Sequence, residues 1–249
     1  MAENQKTPWK RLTIEATAIV GSILLAFAID AWWEARQDRH EEQQILQGLF
    51  AEFEENRTIL QRHRARHLQE IQSLERLLNA IAHGRDDNTD ATIDTALDGL
   101  LAPSTTDLGN GVLDALLSSG RIEILTNRVL RARLAAWHGV IGEVWDDQAN
   151  NASMVFDLFV PYVVRNDVSP SAPMSKWYKD WTVPVRSVSD DPDAVARLLQ
   201  DSEFRVLIEL RYGFKRHLTE EFETALVAVE EILEEIDRSL MQATPRRPE

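Results

Sequence analysis

The chain opens with an apolar run that is long enough to cross a membrane. Residues 12–33, 22 in number, read LTIEATAIVGSILLAFAIDAWW. At about 1.5 Å per residue a helix of this length spans roughly 33 Å, and a hydrocarbon core is about 30 Å thick. We therefore predict one transmembrane helix over 12–33. Its uncharged part is only residues 16–29, so Glu15 and Asp30 must lie near the two interfaces or inside the bilayer.

After this span, apolar residues recur three or four positions apart, which is the period of an amphipathic helix. No break occurs before His83-Gly84, so the membrane helix is predicted to continue to about Ala82. Its apolar stripe consists of Leu46, Leu49, Phe53, Leu60, Ile71, Leu74, Leu78 and Ile81. Asn56, His63 and His67 interrupt the stripe, and we expect them to be buried or half-buried positions that fix helix register.

The middle of the chain predicts helices separated by short turns. Residues 84–90 form a polar turn, and a short helix follows over about 91–101. The segment 104–107, STTD, offers N-caps for another short helix that ends at Ser119-Gly120. Thr126-Asn127 can cap a long helix that reaches about residue 164, with Pro161 kinking its last turn.

The last third contains an irregular stretch and two further helices. Residues 165–191 are rich in Pro and Ser, and a loop of this length is often functional. Asp191-Pro192 is typical of a helix start and opens a short helix to Gln200. Asp201 or Ser202 then starts the last helix, in which apolar residues keep the same spacing to Met241: Phe204, Leu207, Phe214, Leu218, Phe222, Ala225, Val229, Ile232, Ile236 and Leu240.

Together these patterns predict an all-α fold in which one N-terminal transmembrane helix continues into an antiparallel bundle of long helices. The predicted organisation is a cytoplasmic tail over 1–11, the span over 12–33, an extracytoplasmic helical domain over 34–241 with the irregular loop 165–191, and a disordered tail over 242–249.

Charge and composition exclude several classes of function. With 27 Lys and Arg against 41 Asp and Glu the net charge is −14, which argues against nucleic acid as a partner because such binding needs a basic surface. The chain has no Cys, so disulfides, thiol catalysis and Cys-ligated metals are excluded. Many acids lie on the last helix, where we expect a solvated side facing the arginines of 57–66: Glu220, Glu221, Glu223, Glu230, Glu231, Glu234, Glu235 and Asp237.

Two segments resemble a bacterial family of single-span membrane proteins of unknown function. The first is the span pattern G-x-x-L-x-A-F-x-x-D-x-W, formed by Gly21, Leu24, Ala26, Phe27, Asp30 and Trp32. The second is residues 115–127, ALLSSGRIEILTN, followed by Leu130 and Leu134. The resemblance covers about a third of the chain. It implies an anchor and a helical domain, and it implies no activity.

The expected location is the bacterial inner membrane. Lys6, Lys10 and Arg11 precede the span, whereas Arg36 and Arg39 follow it, so the positive-inside rule places the N-terminus in the cytoplasm and the C-terminal domain in the periplasm. A cleaved signal peptide is the alternative, since Ala26-Phe27-Ala28 has the form of a cleavage site. The acidic Glu15 and the interfacial Trp32-Trp33 pair favour a retained anchor.

The span also carries the candidate interaction residues. Ala18, Ser22 and Ala26 form a row of small residues that lets helices approach closely, with Gly21 nearby. Glu15 and Asp30 either lie at the interfaces or turn inward as a polar seam or ion path. Trp32 and Trp33 are expected interface anchors, and Trp177, Tyr178 and Trp181 in the irregular loop are candidate partner contacts.

Patterns typical of catalysis or cofactor binding are weak. His63 and His67 have the i, i+4 spacing of metal ligands, but Arg62, Arg64 and Arg66 surround them and would repel a cation. Glu143, Asp146 and Asp147 form an acidic group that reads as an exposed helical face. Dinucleotide, phosphate-loop and nucleophile-elbow motifs do not occur. We therefore predict no catalytic site, no metal and no cofactor.

The leading hypothesis is a membrane-anchored helical binding or scaffold protein that contacts the lipid bilayer and either self-associates or joins a membrane complex. An oligomeric sensor or ion conductor that uses Glu15 and Asp30 is the second hypothesis. An enzyme whose site is assembled from scattered carboxylates such as Glu143 and Asp146 is the third.

Overall fold

A computed structural model describes residues 9–85, 89–101, 105–168 and 188–243 of the chain. Within these ranges the protein is all-α and contains no strand. The helices are α1 (Trp9–His83), α2 (Thr89–Leu101), α3 (Gly111–Ser118), α4 (Arg128–Met154), α5 (Val160–Arg165), α6 (Pro192–Gln200) and α7 (Ser202–Ala243). Short 3-10 helices cover Arg121–Ile124 and Val188–Asp190, and a π-helical turn, Val155–Phe159, joins α4 to α5. Trp177, Tyr178 and Trp181 lie outside the described residues, as do most of the loop 165–191 and most of the two predicted tails. The helices extend slightly into these tails, since α1 already includes residues 9–11 and α7 includes residues 242–243.

The long first helix is confirmed. It runs for 75 residues, about 110 Å at the rise of an α-helix, and it ends at Gly84. This glycine has φ 99°, a conformation that costs little only without a Cβ, and its N–H donates to the carbonyl of Ala80 at 2.9 Å. The predicted break at 83–84 is therefore a glycine-terminated helix end.

Two helix starts that the local sequence predicts are also confirmed. Asn127 Oδ1 accepts hydrogen bonds from the N–H groups of Val129 and Leu130. Asp191 Oδ1 does the same for Asp193 and Ala194 at the start of α6. In both cases the side chain satisfies N–H groups that have no partner inside the helix.

Helix α3 begins later than predicted, at Gly111 rather than near residues 104–107. Its cap comes from another helix. Glu52 of α1 accepts from the N–H of Val112 at 2.7 Å through Oε2 and from that of Leu113 at 3.2 Å through Oε1. A carboxylate at a helix N-terminus also interacts favourably with the helix dipole, so α1 specifies where α3 starts.

The irregularity predicted at Pro161 is found one turn earlier. Residues 155–159 form a π-helical turn, and Pro161 lies in the first turn of α5. Proline has no N–H to donate to the carbonyl four residues back, and its ring crowds that carbonyl. The wider turn before it accommodates both effects.

Helices α1 and α7 pack side by side in opposite directions. Arg57 pairs with Glu230, and Arg64 pairs with Glu223, so rising residue numbers on α1 meet falling numbers on α7. These pairs confirm for Glu223 and Glu230 that acids of the last helix face the arginines of 57–66, whereas Glu231 pairs with Arg133 of α4. Glu235 is an exception to the expected solvated side, since it is only 6% exposed and hydrogen-bonds to Asn127 and Arg238.

The apolar stripe of α1 is confirmed over 46–74 and shifts beyond it. Leu77 and Ala80 are buried there, whereas Leu78 and Ile81 are half-buried. Helix α2 packs against this end of α1, and it contacts a slightly different face. Leu78 and Ile81 still pack against the core at this end, but the fully buried positions lie one residue earlier.

The buried apolar residues form two separate clusters. The stem-proximal core contains Leu46, Leu49, Phe53 and Leu60 of α1 together with residues of α3, α4 and the 218–236 part of α7. The distal core contains Leu74 and Leu77 of α1 together with residues of α2, α5, α6 and the 204–208 part of α7. Between them α1 and α7 carry buried polar residues, His67, Arg211 and Lys215, together with the buried apolar Ile71.

Candidate functional site

The first candidate site is the exposed apolar stretch of α1. Every side chain from Glu15 to His40 is exposed, including Leu24 at 62%, Phe27 at 66% and Trp33 at 63%. This segment is long and apolar enough to cross a membrane, and none of it is buried against the described part of the chain. An apolar surface of this size on a folded protein marks contact with lipid or with another protein.

Helix geometry places the small residues of this stretch on one face. Ala18, Ser22 and Ala26 follow at intervals of four, and Ser22 Oγ donates to the carbonyl of Ile19 at 2.8 Å, so its hydroxyl stays within the helix. At about 100° per residue Glu15 lies on the same side as this row. Asp30 lies about 80° and Gly21 about 100° from the centre of the row.

Trp32 and Trp33 lie at the C-terminal end of the apolar run. Their ring centroids are 6.5 Å apart, and both are more than half exposed. The Arg36 guanidinium carbon lies 5.9 Å from the centroid of the Trp32 ring, within the range of a cation–π contact. An aromatic pair beside a cation is typical of the level of lipid headgroups.

Two of the three residues in the acidic group on α4 are on the surface as expected. Glu143 and Asp146 are exposed. Asp147 is half-buried, with its Oδ2 3.3 Å from Nε2 of His217 on α7. Among the described residues no group of three or more His, Asp or Glu side chains converges as a metal site would.

The second candidate site is a set of buried or half-buried ionisable residues, of which the sequence predicted the two histidines but not the three charged groups. We call His63, His67, Glu70, Arg211 and Lys215 the charged layer. Lys215 Nζ lies 2.5 Å from Glu70 Oε2 and 3.1 Å from His67 Nδ1. Arg211 and Lys215 are each only 1% exposed, and His67 is fully buried. Buried charges need partners, since an isolated ion in a low-dielectric interior is very costly.

Arg211 ties the layer to two further elements. Its guanidinium donates to Asn151 Oδ1 on α4 and to the carbonyl of Gly99 on α2 at 2.7 Å. Its Cζ also lies 5.8 Å from the ring centroid of Phe159. One arginine thus holds α2, α4 and the π-helical turn against α7.

Burial and charge shift the pKa of each group in the layer. Burial raises the pKa of Glu70, but the contacts with His67 and Lys215 outweigh it and lower this pKa to about 2. Burial and the Arg211 charge lower the pKa of Lys215 to about 8, although Glu70 opposes this. Burial lowers the pKa of Arg211 to about 10. Near neutral pH the layer therefore holds two cations against one carboxylate.

Both histidines are disposed to stay neutral. Burial, followed by the Arg66 and Arg62 charges, lowers the pKa of His63. Burial lowers the pKa of His67, while Glu70 opposes and Lys215 adds to the shift. The His63 ring stacks on Phe222 at 6.0 Å, and its Nδ1 is buried without a hydrogen-bond partner among the described residues. The expectation that these interruptions of the stripe are buried or half-buried is confirmed.

Asn56, the third interruption, holds the segment before α3. Its Nδ2 donates to the carbonyl of Gly109 at 2.7 Å, and its Oδ1 accepts from the Gly109 N–H at 2.8 Å. It is fully buried. Asn56 and Glu52 together fix the chain around residues 109–113.

One signal for Arg211 and Lys215 was present in the sequence. The 3-4 spacing of buried positions on α7 runs through 204, 207, 211, 215, 218 and 222. Positions 211 and 215 thus lie in phase with the core. Arg and Lys are almost never buried unless paired, and their partners could not be identified before the helices were placed.

The middle segment of the family resemblance forms a junction between three helices. Glu42 Oε1 on α1 accepts from the Thr126 N–H at 2.6 Å and from its hydroxyl at 2.8 Å. Asn127 Nδ2 donates to Glu235 Oε2 at 2.9 Å and to Ser239 Oγ at 3.0 Å on α7. These contacts join α1, α4 and α7 at the end of the body nearest the span.

A cleft of about 230 Å³ lies at the opposite end of the body, between α5 and α6. In its wall the Tyr162 hydroxyl donates to Asp201 Oδ2 at 2.5 Å. Asp191 caps α6, and Asp201 also accepts from the Glu203 N–H. These carboxylates therefore already have structural partners. Val168 and Val188, which border the undescribed residues 169–187, complete the wall.

Comparison with protein-family models, curated proteins and solved structures gives no match for this chain. The resemblance of residues 21–32 and 115–134 to a single-span family therefore stays a prediction.

Proposed function

We propose that this protein is a membrane-anchored helical scaffold without catalytic activity, and that it self-associates or joins a membrane complex through the span of α1. In this proposal residues 12–33 cross the bacterial inner membrane and the N-terminus is cytoplasmic. The remaining helices stand as an antiparallel bundle in the periplasm.

The observation that carries the proposal is the fully exposed apolar stretch of α1. A helix in a soluble protein hides an apolar face of this length against a core, because burial contributes roughly 25 cal/mol per Å² of apolar area. Here the other residues that the structure describes cover none of it. A bilayer supplies the missing apolar environment, and Trp32 and Trp33 stand where an interface would lie.

Association through the span is supported by the Ala18–Ser22–Ala26 row. Small side chains let two backbones approach closely, which is the main source of helix pairing in lipid. Glu15 lies on the same side, where a second helix could shield it from hydrocarbon. An ionisable residue inside a membrane is costly unless it is paired or solvated.

The test uses alanines of matched depth. In Ala18→Leu/Ala26→Leu the row is blocked, whereas Ala16→Leu/Ala28→Leu makes the same chemical change about 120° from the row centre. We expect the first double variant to shift the chain toward monomer in mild detergent, measured by size-exclusion chromatography with light scattering. The second should keep the native oligomer.

Three results would contradict the proposal. If both double variants lose the oligomer equally, the Ala18–Ser22–Ala26 row is not the contact surface between the helices. A wild-type chain that is monomeric in native membranes and co-purifies with no other membrane protein would overturn the scaffold proposal. Ion flux through liposomes containing the purified chain, lost in Glu15→Gln/Asp30→Asn, would favour a conductor instead.

Topology has its own test, because the chain has no Cys. A single Ala136→Cys on the exposed face of α4 should react with a membrane-impermeant maleimide in cells whose outer membrane is permeabilised. Labelling only after lysis of the inner membrane would place the helical body in the cytoplasm.

A further inference from the structure

One side of α1 is exposed both in the span and along the helical body. We call the part of this side that lies in the body the outward face. Its residues are all exposed: Gln44, Gln47, Ala51, Glu55, Thr58, Arg62 and Ala65. Because the other helices that the structure describes do not cover it, the outward face is a surface that another molecule can reach.

The outward face is in line with the Ala18–Ser22–Ala26 row of the span. Helix α1 is unbroken, so a position on its surface can be followed from the span into the body at about 100° per residue. On this count Ala51, Thr58 and Ala65 lie within about 20° of the centre of the row. The span and the body therefore present one continuous side of a single helix.

The helical body lies on the opposite side of α1. Leu49, Phe53 and Leu60 are fully buried in the stem-proximal core, and they lie about 140–180° from the centre of the row. The described helices that pack on α1 thus leave the side of the row open. A second chain whose span pairs at the row meets no obstruction from either body.

Anchoring in one membrane determines the symmetry of such a pair. Two equivalent chains with their bodies on the same side of the membrane are related by a two-fold axis along the membrane normal. Their α1 helices then run parallel, and each residue on the line faces the same residue of the second copy. Once the spans have paired, the outward faces associate at a high effective concentration, so even a weak contact between them forms.

The charge of the outward face also suits a second copy. Its two charged residues, Glu55 and Arg62, have opposite signs, whereas the whole chain has a net charge of −14. Both lie on the same flank, about 60° and 40° from the centre of the row. The two-fold axis therefore places each of them on the opposite edge of the contact from its own equivalent, which limits repulsion between like charges.

We propose that a second copy of this chain binds along the outward face, so that α1 pairs in parallel with its equivalent from the span to about residue 65. The inference rests on the proposed self-association through the span and names the partner as a second copy rather than another membrane protein. Ala51, Thr58 and Ala65 follow one another at seven residues, which is the repeat of a coiled-coil seam, and their short side chains allow close approach of the two helices.

Disulfide cross-linking tests this contact, because the chain has no native Cys and the bond requires Cα atoms within about 7 Å. Ser22→Cys reports on the span and Ala51→Cys on the outward face. Ala136→Cys is the matched control, since Ala136 is exposed on α4. It also lies at a similar height, because Ala51 follows Glu42 by nine residues and Ala136 follows Thr126, which Glu42 contacts, by ten.

Each variant is oxidised with copper phenanthroline in isolated native membranes at low expression, and the cross-linked products are sized on non-reducing gels. We expect homodimer from Ser22→Cys and Ala51→Cys and a much smaller fraction from Ala136→Cys. Homodimer from Ser22→Cys, with no more from Ala51→Cys than from Ala136→Cys, would overturn this inference and leave pairing of the span intact. Absence of homodimer from both Ser22→Cys and Ala51→Cys would overturn both proposals.

The dependence on position gives a second measurement. Thr58→Cys and Ala65→Cys should form homodimer as Ala51→Cys does. Leu68→Cys should not, because Leu68 is exposed but lies about 80° from the centre of the row. Equal cross-linking at all four positions would indicate random collision and would overturn the inference, as would a product in which Ala51→Cys is joined only to a different protein.

Discussion

Removing the charge of Glu70 should destabilise the body strongly. The pKa of this carboxyl lies at about 2 against an ordinary value of 4.5, and a difference of this size corresponds to about 3 kcal/mol. The Glu70 side chain is only 16% exposed, so solvent screens little of it. We expect Glu70→Gln to lower the free energy of unfolding by about 3 kcal/mol at pH 7.5, consistent with the roughly 3–5 kcal/mol that breaking a buried ion pair costs.

The direction of the shift also determines the pH dependence. A lowered pKa means that the unfolded chain binds the proton more tightly than the folded protein. The stabilisation by Glu70 is therefore complete above about pH 4.5 and is lost as the pH falls toward 2. Glu70→Gln should remove this part of the acid sensitivity.

The assay is urea unfolding of the full chain in mild detergent, followed by far-UV circular dichroism. Glu223→Gln is the matched control, because Glu223 also pairs with an arginine of α1 across the α1–α7 contact but is half exposed. Exposed pairs contribute about 0–1 kcal/mol. A Glu70→Gln cost below about 1 kcal/mol, or one equal to that of Glu223→Gln, would refute the reasoning.

The two partners of this ion pair should differ in cost. Burial and the Arg211 charge lower the pKa of Lys215 despite the contact with Glu70. Folding therefore disfavours the charged form of Lys215, whereas it favours the charged form of Glu70. Lys215→Met leaves Glu70 near Arg211 and should cost less than Glu70→Gln. The double variant Glu70→Gln/Lys215→Met should recover part of the loss, because it removes both charges together.

Three further expectations concern the apolar core, the α4 cap and the titration of Lys215. Phe53→Ala should lower the free energy of unfolding by about 3–5 kcal/mol in the same urea assay. The reason is that Phe53 is fully buried and packs edge-on against Trp137, with ring centroids 5.2 Å apart. A loss below about 1 kcal/mol would contradict this burial. Asn127→Ala should lower the free energy of unfolding by about 1–2 kcal/mol, since it removes the α4 cap and the contacts to Glu235 and Ser239. The control Asn150→Ala, on the exposed face of α4, should lower it much less. Wild-type stability should rise between about pH 8 and pH 10 relative to Lys215→Met, because the lowered pKa of Lys215 lets the folded protein release its proton first; parallel pH profiles would contradict this.

The local parts of the fold were predictable from sequence. The start of α4 at Asn127 and that of α6 at Asp191 rest on hydrogen bonds within three residues, and the end of α1 rests on one glycine. Each depends on a side chain and its immediate neighbours. The apolar period also predicted most of the buried faces of α1 and α7, because one face of a helix must be covered.

The sequence predicted that His63 and His67 are buried or half-buried, but it did not predict that Glu70, Arg211 and Lys215 join them, although positions 211 and 215 lie in phase with the core of α7. Glu70 and Lys215 are far apart in the chain, and only their meeting makes burial of either one favourable. The start of α3 was missed for a similar reason, because Glu52 supplies its cap from a different helix. Glu235 was expected in solvent and is buried because Asn127 lies opposite it.

The sequence by itself determined the helical class, the long first helix, most helix ends and the apolar span, because these depend on periodicity, capping and continuous hydrophobicity. Tertiary structure alone decided which charged residues enter the interior. A buried charge is tolerated only where another element brings a partner of the right chemistry within hydrogen-bonding distance, and that proximity is a property of the packed helices.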